Sequence, residues 1–223
     1  MKRFLVVILA TLALTLTSFG GSIMVKAVDT GWVRSDDGLN SKFQPGNFNY
    51  YAGENSIGGF EYRNYFTFDL SGVAVPILGA SLTIPNLGAN TGAPFSYNIY
   101  DVSASTIPTL AAGINQAGIF DDLGTGAAYS SLANDIPTNT NDPVVIDINA
   151  AGVAAINGAL GGAFGMGGDV NSGGVPGQHD LFVLYPSDGR APTLTLTTAP
   201  EPGTAALAIA GFGTLIAFYR RKR

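Results

Sequence analysis

The segment Phe60-Glu61-Tyr62-Arg63-Asn64-Tyr65-Phe66-Thr67-Phe68-Asp69-Leu70 carries the clearest secondary-structure signal in the chain. Aromatic and aliphatic side chains fall mostly on its even positions, and charged or hydroxyl side chains fall mostly on its odd positions. Successive side chains of a β-strand point to opposite faces of a sheet, so this period of two predicts a strand with one buried and one polar face. Tyr65 falls on the predicted polar face.

Further strand signals extend outward from this segment in both directions. Gly, Pro, Asn and Asp separate them, as turns between strands require. One helix is predicted over Ala150–Leu160, with apolar residues at helical spacing and Asn149 as its cap, and a shorter helical turn is expected after Pro108. The other predicted strands are Thr30–Ser35, Phe48–Ala52, Ala80–Leu87, Ser96–Val102, Val144–Ile148, Ala163–Gly168, Asp180–Tyr185 and Thr193–Thr198.

These elements together predict the fold class. Eight or nine short strands with one short crossover helix are typical of an all-β protein with a jelly-roll-like β-sandwich. Between two hydrophobic ends about 170 residues remain, which is enough for one domain with its own core. We expect this domain, called the body below, to comprise residues 28–199.

Two of the predicted strands resemble a known type of extracellular domain. The segment Tyr62–Gly72, followed by Ile77–Leu82, is similar to a strand pair of DNRLRE-type domains. Those domains are jelly-roll modules akin to carbohydrate-binding modules. The resemblance therefore implies a sandwich fold, and it specifies no ligand.

Composition excludes several classes of function. The chain has no cysteine, which excludes disulfides, thiol chemistry and cysteine-based metal sites. Residues 28–199 carry 4 basic and 15 acidic residues, a net charge of −11. Such a body repels nucleic acid and anionic membrane surfaces and attracts divalent cations, so we expect no nucleic-acid partner.

Residues 1–27 predict a cleavable signal peptide. Lys2 and Arg3 precede a 13-residue apolar run, Phe4–Leu16, which is too short for a full membrane span. A small and polar stretch follows, ending in Val25-Lys26-Ala27. We expect cleavage after Ala27 and export of the remainder, with an uncleaved N-terminal anchor as the alternative.

The C-terminal residues 200–223 predict a membrane-sorting segment. Pro200-Glu201-Pro202 precedes an uncharged run, Thr204–Tyr219, which as a helix would be about 24 Å long, slightly short of a ~30 Å bilayer core. Four cations end the chain and are expected to stay in the cytoplasm, so that this helix crosses the inner membrane and the body lies outside it. A buried core helix is the alternative. The four cations are Arg220, Arg221, Lys222 and Arg223.

These three elements in this order resemble the PEP-CTERM sorting signal of Gram-negative bacteria. The resemblance implies that exosortase, a membrane-embedded enzyme, processes the chain near Pro200-Glu201-Pro202. It also implies a cell-surface or extracellular-matrix location and an association with exopolysaccharide or biofilm matrix. In this processing the chain is the substrate, not the enzyme.

Aromatic residues predict a carbohydrate-binding surface as one alternative function. Aromatic rings present an apolar face on which a sugar can stack, and Tyr65 lies on the predicted polar face of its strand. Packing inside the fold is the competing interpretation for the same rings. The candidate ligand-binding residues are Trp32, Tyr50, Tyr51 and Tyr65.

Clustered carboxylates predict structural calcium as the one cofactor that the composition suggests. Asp169, Asn171 and Asp180 occupy positions 1, 3 and 12 of a loop that partly matches a calcium-binding loop, although Gly173 supplies no side-chain oxygen at position 5. Asp36 and Asp37 form a second cluster. Asx turns without metal give the same pattern, so both interpretations stay open.

Catalysis receives little support from the sequence. The single histidine, His179, has no nucleophile elbow to serve, since no serine lies in a Gly-x-Ser-x-Gly motif. Glu54 and Glu61 leave an Asp/Glu-based glycoside hydrolase as a third alternative. We therefore expect a non-enzymatic, surface-anchored protein.

Overall fold

The computed structural model of the protein describes residues 20–41, 49–55, 59–86, 89–91, 95–133, 142–171, 179–182 and 191–199. These residues form eleven strands and three short helices. The strands are β1 (Ser22–Arg34), β2 (Ala52–Asn55), β3 (Phe60–Asp69), β4 (Ile77–Ile84), β5 (Ala89–Thr91), β6 (Ser96–Asp101), β7 (Ala128–Ala133), β8 (Val144–Ile148), β9 (Ala163–Asn171), β10 (His179–Leu181) and β11 (Thr193–Thr198). The helices are α1 (Thr106–Ala112), α2 (Ala117–Asp122) and α3 (Ala150–Gly158).

Antiparallel pairing links all the described strands. The order β5-β10-β2-β3-β1-β11-β4-β8 forms one path, while β9, β6 and β7 branch from β3 in that order. The two ends of this arrangement approach each other where the Asn149 backbone N–H donates to the Tyr129 carbonyl over 2.8 Å. The sheet is therefore nearly closed, which confirms the all-β prediction and is consistent with a jelly-roll-like arrangement.

The main core lies between the two groups of strands that β1 joins. Leu82 and Leu194 come from the β4 and β11 side, and Phe66 and Tyr97 come from the β3 and β6 side. All four side chains are fully buried. Burial of this apolar surface from both sides is the main force that holds the strands together.

The second face of β3 is also buried, which the alternation of its residues did not predict. Residues 64–68 of β3 are buried on both faces because α1 and α2 cover the face that carries Tyr65. This smaller core consists of Val33, Tyr65, Val102, Leu110, Ile119, Phe120 and Leu123. The expectation of a polar outer face therefore holds only toward the two ends of the strand.

Glycines in β9 allow this helical layer to approach the sheet closely. A Cβ atom on Gly167 would lie 2.3 Å from the backbone oxygen of Leu123, far inside van der Waals contact. A Cβ on Gly165 would lie 3.0 Å from the side chain of Ile107. The glycine-rich sequence of β9 is thus a packing requirement of the second core.

The helix predicted over 150–160 is confirmed, since α3 spans Ala150–Gly158. Its cap is also as predicted: the Asn149 side chain accepts hydrogen bonds from the backbone N–H groups of Ala151 and Gly152. Strand β7 and helix α2 were not predicted. The predicted strands Phe48–Ala52 and Asp180–Tyr185 fall partly outside the described residues.

Strand β1 crosses the predicted start of the body at residue 28. Strand β1 begins at Ser22, and its residues Ser22–Lys26 pair with β11, while the residues from Ala27 onward pair with β3. The boundary predicted between residues 27 and 28 would cut through this strand. Residues 22–27 are therefore part of a strand in which Ile23, Val25 and Ala27 pack against the core while the intervening side chains are exposed.

Gly167→Ala is expected to lower the free energy of unfolding by about 2 kcal/mol or more, because its methyl group would meet backbone that has no free side chain to move aside. Gly72→Ala is the matched control, since nothing lies within 4 Å of a Cβ at Gly72. Urea unfolding of both variants checks this. Equal losses in the two variants would contradict the close approach of the α2 layer to β9.

Candidate functional site

A cluster of aromatic rings lies where β1, β2 and β3 meet. The Tyr62 ring in β3 contacts the Trp32 ring in β1 edge-to-face at a centroid distance of 5.0 Å. It contacts the Tyr51 ring, just before β2, in the same manner at 4.9 Å. Tyr51 and Tyr62 are half-buried, and Trp32 is buried. We call Trp32, Tyr51, Phe60 and Tyr62 the aromatic patch.

Hydrogen bonding and alternation fix the rings of this patch. The Trp32 indole N–H donates to the Asn49 side-chain oxygen over 2.9 Å, which orients the indole. Phe60 lies two residues before Tyr62 on β3 and so faces the same side of the sheet. Phe60 is also half-buried. The patch therefore offers a preformed apolar surface with three partly accessible rings.

A charged rim adjoins the patch through Arg34. The Arg34 guanidinium lies 4.6 Å from the centre of the Phe60 ring. It also pairs with Asp36 (Nε to Oδ1, 2.5 Å) and with Asp37 (Nη2 to Oδ2, 3.0 Å). The Leu39 backbone N–H donates to Asp37, and this hydrogen bond lowers the pKa of that carboxyl group.

The combination of stacking rings and charged hydrogen-bonding groups suits a neutral, hydroxyl-rich ligand. The C–H face of a sugar ring packs against an aromatic ring, and its hydroxyl groups bond to carboxylate and guanidinium groups. Asp36 and Asp37 are exposed and retain acceptor capacity besides their pairing with Arg34. The patch and its rim thus have the chemistry of a carbohydrate-contacting surface.

Of the four ring residues predicted to bind ligand, Tyr50, Tyr65 and Trp32 are buried and do not present their rings at the surface of the described body. Tyr65 belongs to the second core, where burial raises the pKa of its hydroxyl group. Tyr50 is fully buried, and its hydroxyl donates to the Pro85 carbonyl over 2.6 Å. Trp32 is 5% exposed and supports the patch from below. Only Tyr51 is half-buried.

Sequence reasoning placed Phe60 and Tyr62 on the core face of β3 and so missed them as surface residues. Their alternation is that of the core residues Phe66 and Phe68, but they lie at the start of the strand, where the burial of β3 is incomplete. The adjoining Gly59, with a φ of 66°, marks the turn that begins this end. The glycine turn just before Phe60 was the one local signal in the sequence that this end of β3 is incompletely buried.

On the opposite face of β3, Arg63 holds a network of half-buried charges. Its Nε donates to Asp169 (3.2 Å) and its Nη2 donates to Glu61 (3.4 Å). Its Nη1 donates to the Phe120 carbonyl (2.9 Å), and its guanidinium lies 4.1 Å from the centre of the Phe120 ring. Arg63 thereby ties β3 to β9 and to α2.

This network uses one carboxylate proposed for catalysis and one proposed for calcium. Burial raises the pKa of Glu61, and Asp169 raises it further. Because Glu61 and Asp169 share the guanidinium of Arg63, their present arrangement is that of a structural ion-pair network. The side chain of Glu54 lies outside what the structure describes.

The first three residues of the predicted calcium loop lie in a strand. Asp169 and Asn171 lie in strand β9, and Asp169 pairs with Arg63. Asp180 lies in β10, but its side chain and residues 172–178 are outside the described residues. Among the side chains that the structure describes, no three His, Cys, Asp or Glu residues form a cation-binding group.

A cavity of about 320 Å³ lies beside α1. Val28, Phe68, Ile107, Ala111 and Ala163 make it mainly apolar. Asp69 also lines it, but its carboxylate accepts a hydrogen bond from the backbone of Ser71 in a turn. The cavity therefore lacks the row of accessible rings that distinguishes the aromatic patch.

The body ends close to the predicted sorting motif. Strand β11 ends at Thr198, and the backbone N–H of Ala199 donates to the Pro76 carbonyl over 3.3 Å. The predicted motif 200–202, the predicted membrane segment 204–219 and the basic tail 220–223 lie outside the described residues. The helices within the described ranges are all too short or too polar to span a bilayer.

The described strands define an all-β body whose last strand ends at Thr198. A distinct C-terminal segment follows this strand in the sequence. That segment is a known one: residues 198–223 match the PEP-CTERM protein-sorting motif. The motif implies export and sorting of the chain through its C-terminus. The resemblance noted at Pro200-Glu201-Pro202 is thus confirmed.

Comparisons with curated proteins and solved structures say less about the body than about the C-terminal segment. No curated protein matches the chain closely enough to indicate a relative. One solved structure that matches contains the CBM22-1 and GH10 modules of endo-1,4-β-D-xylanase 10B from Clostridium thermocellum, complexed with xylohexaose. The sequence identity is 6% and the TM-score is 0.30, and the match covers 81% of this chain but only 29% of that chain.

Glu61→Gln is expected to change the pH dependence of stability in a defined direction. The raised pKa of Glu61 means that its contribution to stability is present below the ordinary value of 4.5 and is lost as the pH rises through the folded-state value. Relative to the wild type, the variant should therefore gain stability as the pH rises above the ordinary value of 4.5, measured by urea unfolding.

Asp69→Asn is the matched control with the opposite sign. Hydrogen bonds from Ser71 lower the pKa of Asp69, so the wild type retains its contribution at neutral pH and loses it as the pH falls. Relative to the wild type, this variant should lose stability as the pH rises. The same pH trend in both variants would contradict the described network around Arg63.

Proposed function

We propose that this protein is an exported, non-enzymatic β-sandwich that is held at the cell surface and contributes to the extracellular polysaccharide matrix of a Gram-negative bacterium. The observation that carries the proposal is the continuity of body and motif: β11 ends at Thr198, and the sorting motif is matched from residue 198 onward. The folded body is thus itself the material that the motif sorts.

Sorting requires two further steps in this proposal. A signal peptide at the N-terminus directs export, and the run 204–219 then holds the body outside the inner membrane while residues 220–223 stay in the cytoplasm. Exosortase cleaves near Pro200-Glu201-Pro202 and releases the body to the surface or matrix. Exosortase is therefore the processing partner.

The proposal that the protein is non-enzymatic rests on the ion pairs that its acidic side chains form. Glu61 and Asp169 are bound to Arg63, and Asp36 and Asp37 are bound to Arg34. A glycoside hydrolase needs two carboxyl groups that face a substrate from opposite sides of a cleft. These four carboxylates instead form ion pairs with Arg34 and Arg63, the two arginines of the body that the structure describes.

Replacement of Pro200, Glu201 and Pro202 by alanine is expected to block processing in an exosortase-containing host. The full-length chain should accumulate in the membrane fraction, whereas the wild type is shortened at its C-terminus; intact-mass measurement distinguishes them. Leu78→Ala, at a side chain that is 64% exposed, is the control and should be processed normally. Normal processing of the triple variant would contradict the role of the motif.

Carbohydrate binding by the aromatic patch is the second candidate function, and it would explain how the body joins a polysaccharide matrix. The specific observation in its favour is the row of Tyr51, Tyr62 and Phe60, fixed by ring contacts and bordered by the Arg34–Asp36–Asp37 rim. Neutral polysaccharide is the ligand that these groups fit best, because the net charge of the body disfavours anionic chains.

Tyr51→Ala and Tyr62→Ala are expected to weaken binding of the purified body to the host's exopolysaccharide by about tenfold each, since a stacking ring contributes roughly 1–1.5 kcal/mol. Tyr100→Ala is the control, because Tyr100 is half-buried in β6, which lies outside the patch. Affinity is measured by pull-down and titration, and a thermal melt verifies that each variant is folded.

Two outcomes would contradict this second function. Unchanged affinity in both patch variants would exclude stacking on these rings, and an equal loss in Tyr100→Ala would show that the effect is not local. Repetition of the titration with a calcium chelator tests structural calcium separately. Loss of binding or of thermal stability in the chelator would favour a bound ion, and no change would count against it.

A further inference from the structure

The first half of β1 is part of the folded body, and this has a consequence for signal-peptide cleavage. Ser22–Lys26 pair with β11 in continuous register, from Ser22 opposite Thr197 to Lys26 opposite Thr193. The pairing extends one residue further, because both the backbone N–H and the hydroxyl group of Thr198 donate to the Gly21 carbonyl, over 2.9 and 3.2 Å. Within the described residues, the hydrogen bonding between β1 and β11 thus extends back to Gly21.

The side chains of this segment also take part in the fold. Ile23, Val25 and Ala27 pack against the main core, while Met24 is 75% exposed. This is the alternation of a half-buried edge segment. A cut after Ala27 would remove these core contacts and leave the edge of β11 without its hydrogen-bonding partner.

The sequence just before Gly21 offers a second candidate cleavage site, which leaves strand β1 whole. The apolar run ends at Leu16, and Thr17-Ser18-Phe19-Gly20 follows it directly. Ser18 and Gly20 place small residues at the two positions that a signal peptidase recognises, three residues and one residue before the cut. A cut after Ser22 also has small residues at these positions, but it would remove the bond between Gly21 and Thr198.

We infer that signal peptidase cleaves between Gly20 and Gly21, so that the mature body begins with Gly21. Water adds across this peptide bond, giving the carboxyl group of Gly20 and a new α-amino group on Gly21. The inference rests on the proposed export of the chain. It includes Lys26 in the mature body and so changes the net charge of the body from −11 to −10, with 5 basic and 15 acidic residues over 21–199.

This site places both processed ends of the body side by side. Gly21 is hydrogen-bonded to Thr198, two residues before Pro200. The N-terminal cleavage and the C-terminal sorting cleavage therefore take place at the same edge of the sheet. While both hydrophobic ends are still attached, that edge is the part of the body closest to the membrane.

The test is the N-terminus of the protein secreted by an expressing Gram-negative host, determined by intact mass and by sequencing of the N-terminal peptide. The inference predicts Gly21 as the first residue. Any other first residue in the exported protein, Val28 above all, would overturn it. Recovery of the chain with Met1 retained in the cytosol would instead overturn the export on which the inference rests.

A pair of valine substitutions tests the same bond, with the ratio of precursor to processed chain as the readout. Gly20→Val puts a branched residue directly before the inferred cut, and Ala27→Val does the same for the site that the sequence first suggested. The inference predicts that Gly20→Val leaves most of the chain as precursor, at least about tenfold above the wild type. Ala27→Val should be processed normally, and the reverse result would overturn the inference.

Discussion

Strand β1 is shared between two groups of strands, and the rest of the structure depends on this sharing. Its first half completes the β11-β4-β8 group and its second half completes the group built on β3, with a register shift between Ala27 and Asp29 where it passes from one to the other. The main core lies between these groups. Without β1, each group of strands would have an unpaired edge. The two groups would then no longer be joined around the main core that they bury between them.

The same strand also links the two regions on which the proposed function depends. Its start is hydrogen-bonded to Thr198 at the end of β11, so both ends of the body lie side by side where the matched sorting motif begins. Its other end carries Trp32 and Arg34, which support the aromatic patch and its charged rim. Sorting and the proposed carbohydrate contact are thus placed at opposite ends of one strand.

Local signals in the sequence predicted the elements that depend on local contacts. Alternation located β3, and Asn149 located the start of α3. The burial of Tyr65 was not predictable in this way, because the helices that cover it come from a distant part of the chain and approach through Gly167. Ser22–Ala27 fit both a cleavage region and a strand in the sequence, and their pairing with β11 and β3 could not be read from local signals. Tyr62 alternates in the sequence with the core residues of β3, but it is only half-buried in the structure.

The most direct test of this account is the stability of two truncated bodies expressed without a signal peptide, residues 20–199 and residues 28–199. The account predicts that the shorter body loses at least about 3 kcal/mol in urea unfolding, since it lacks the half-buried Ile23 and Val25 and the hydrogen bonds to β11. Equal unfolding free energies for the two bodies would contradict the claim that β1 holds the two groups of strands together.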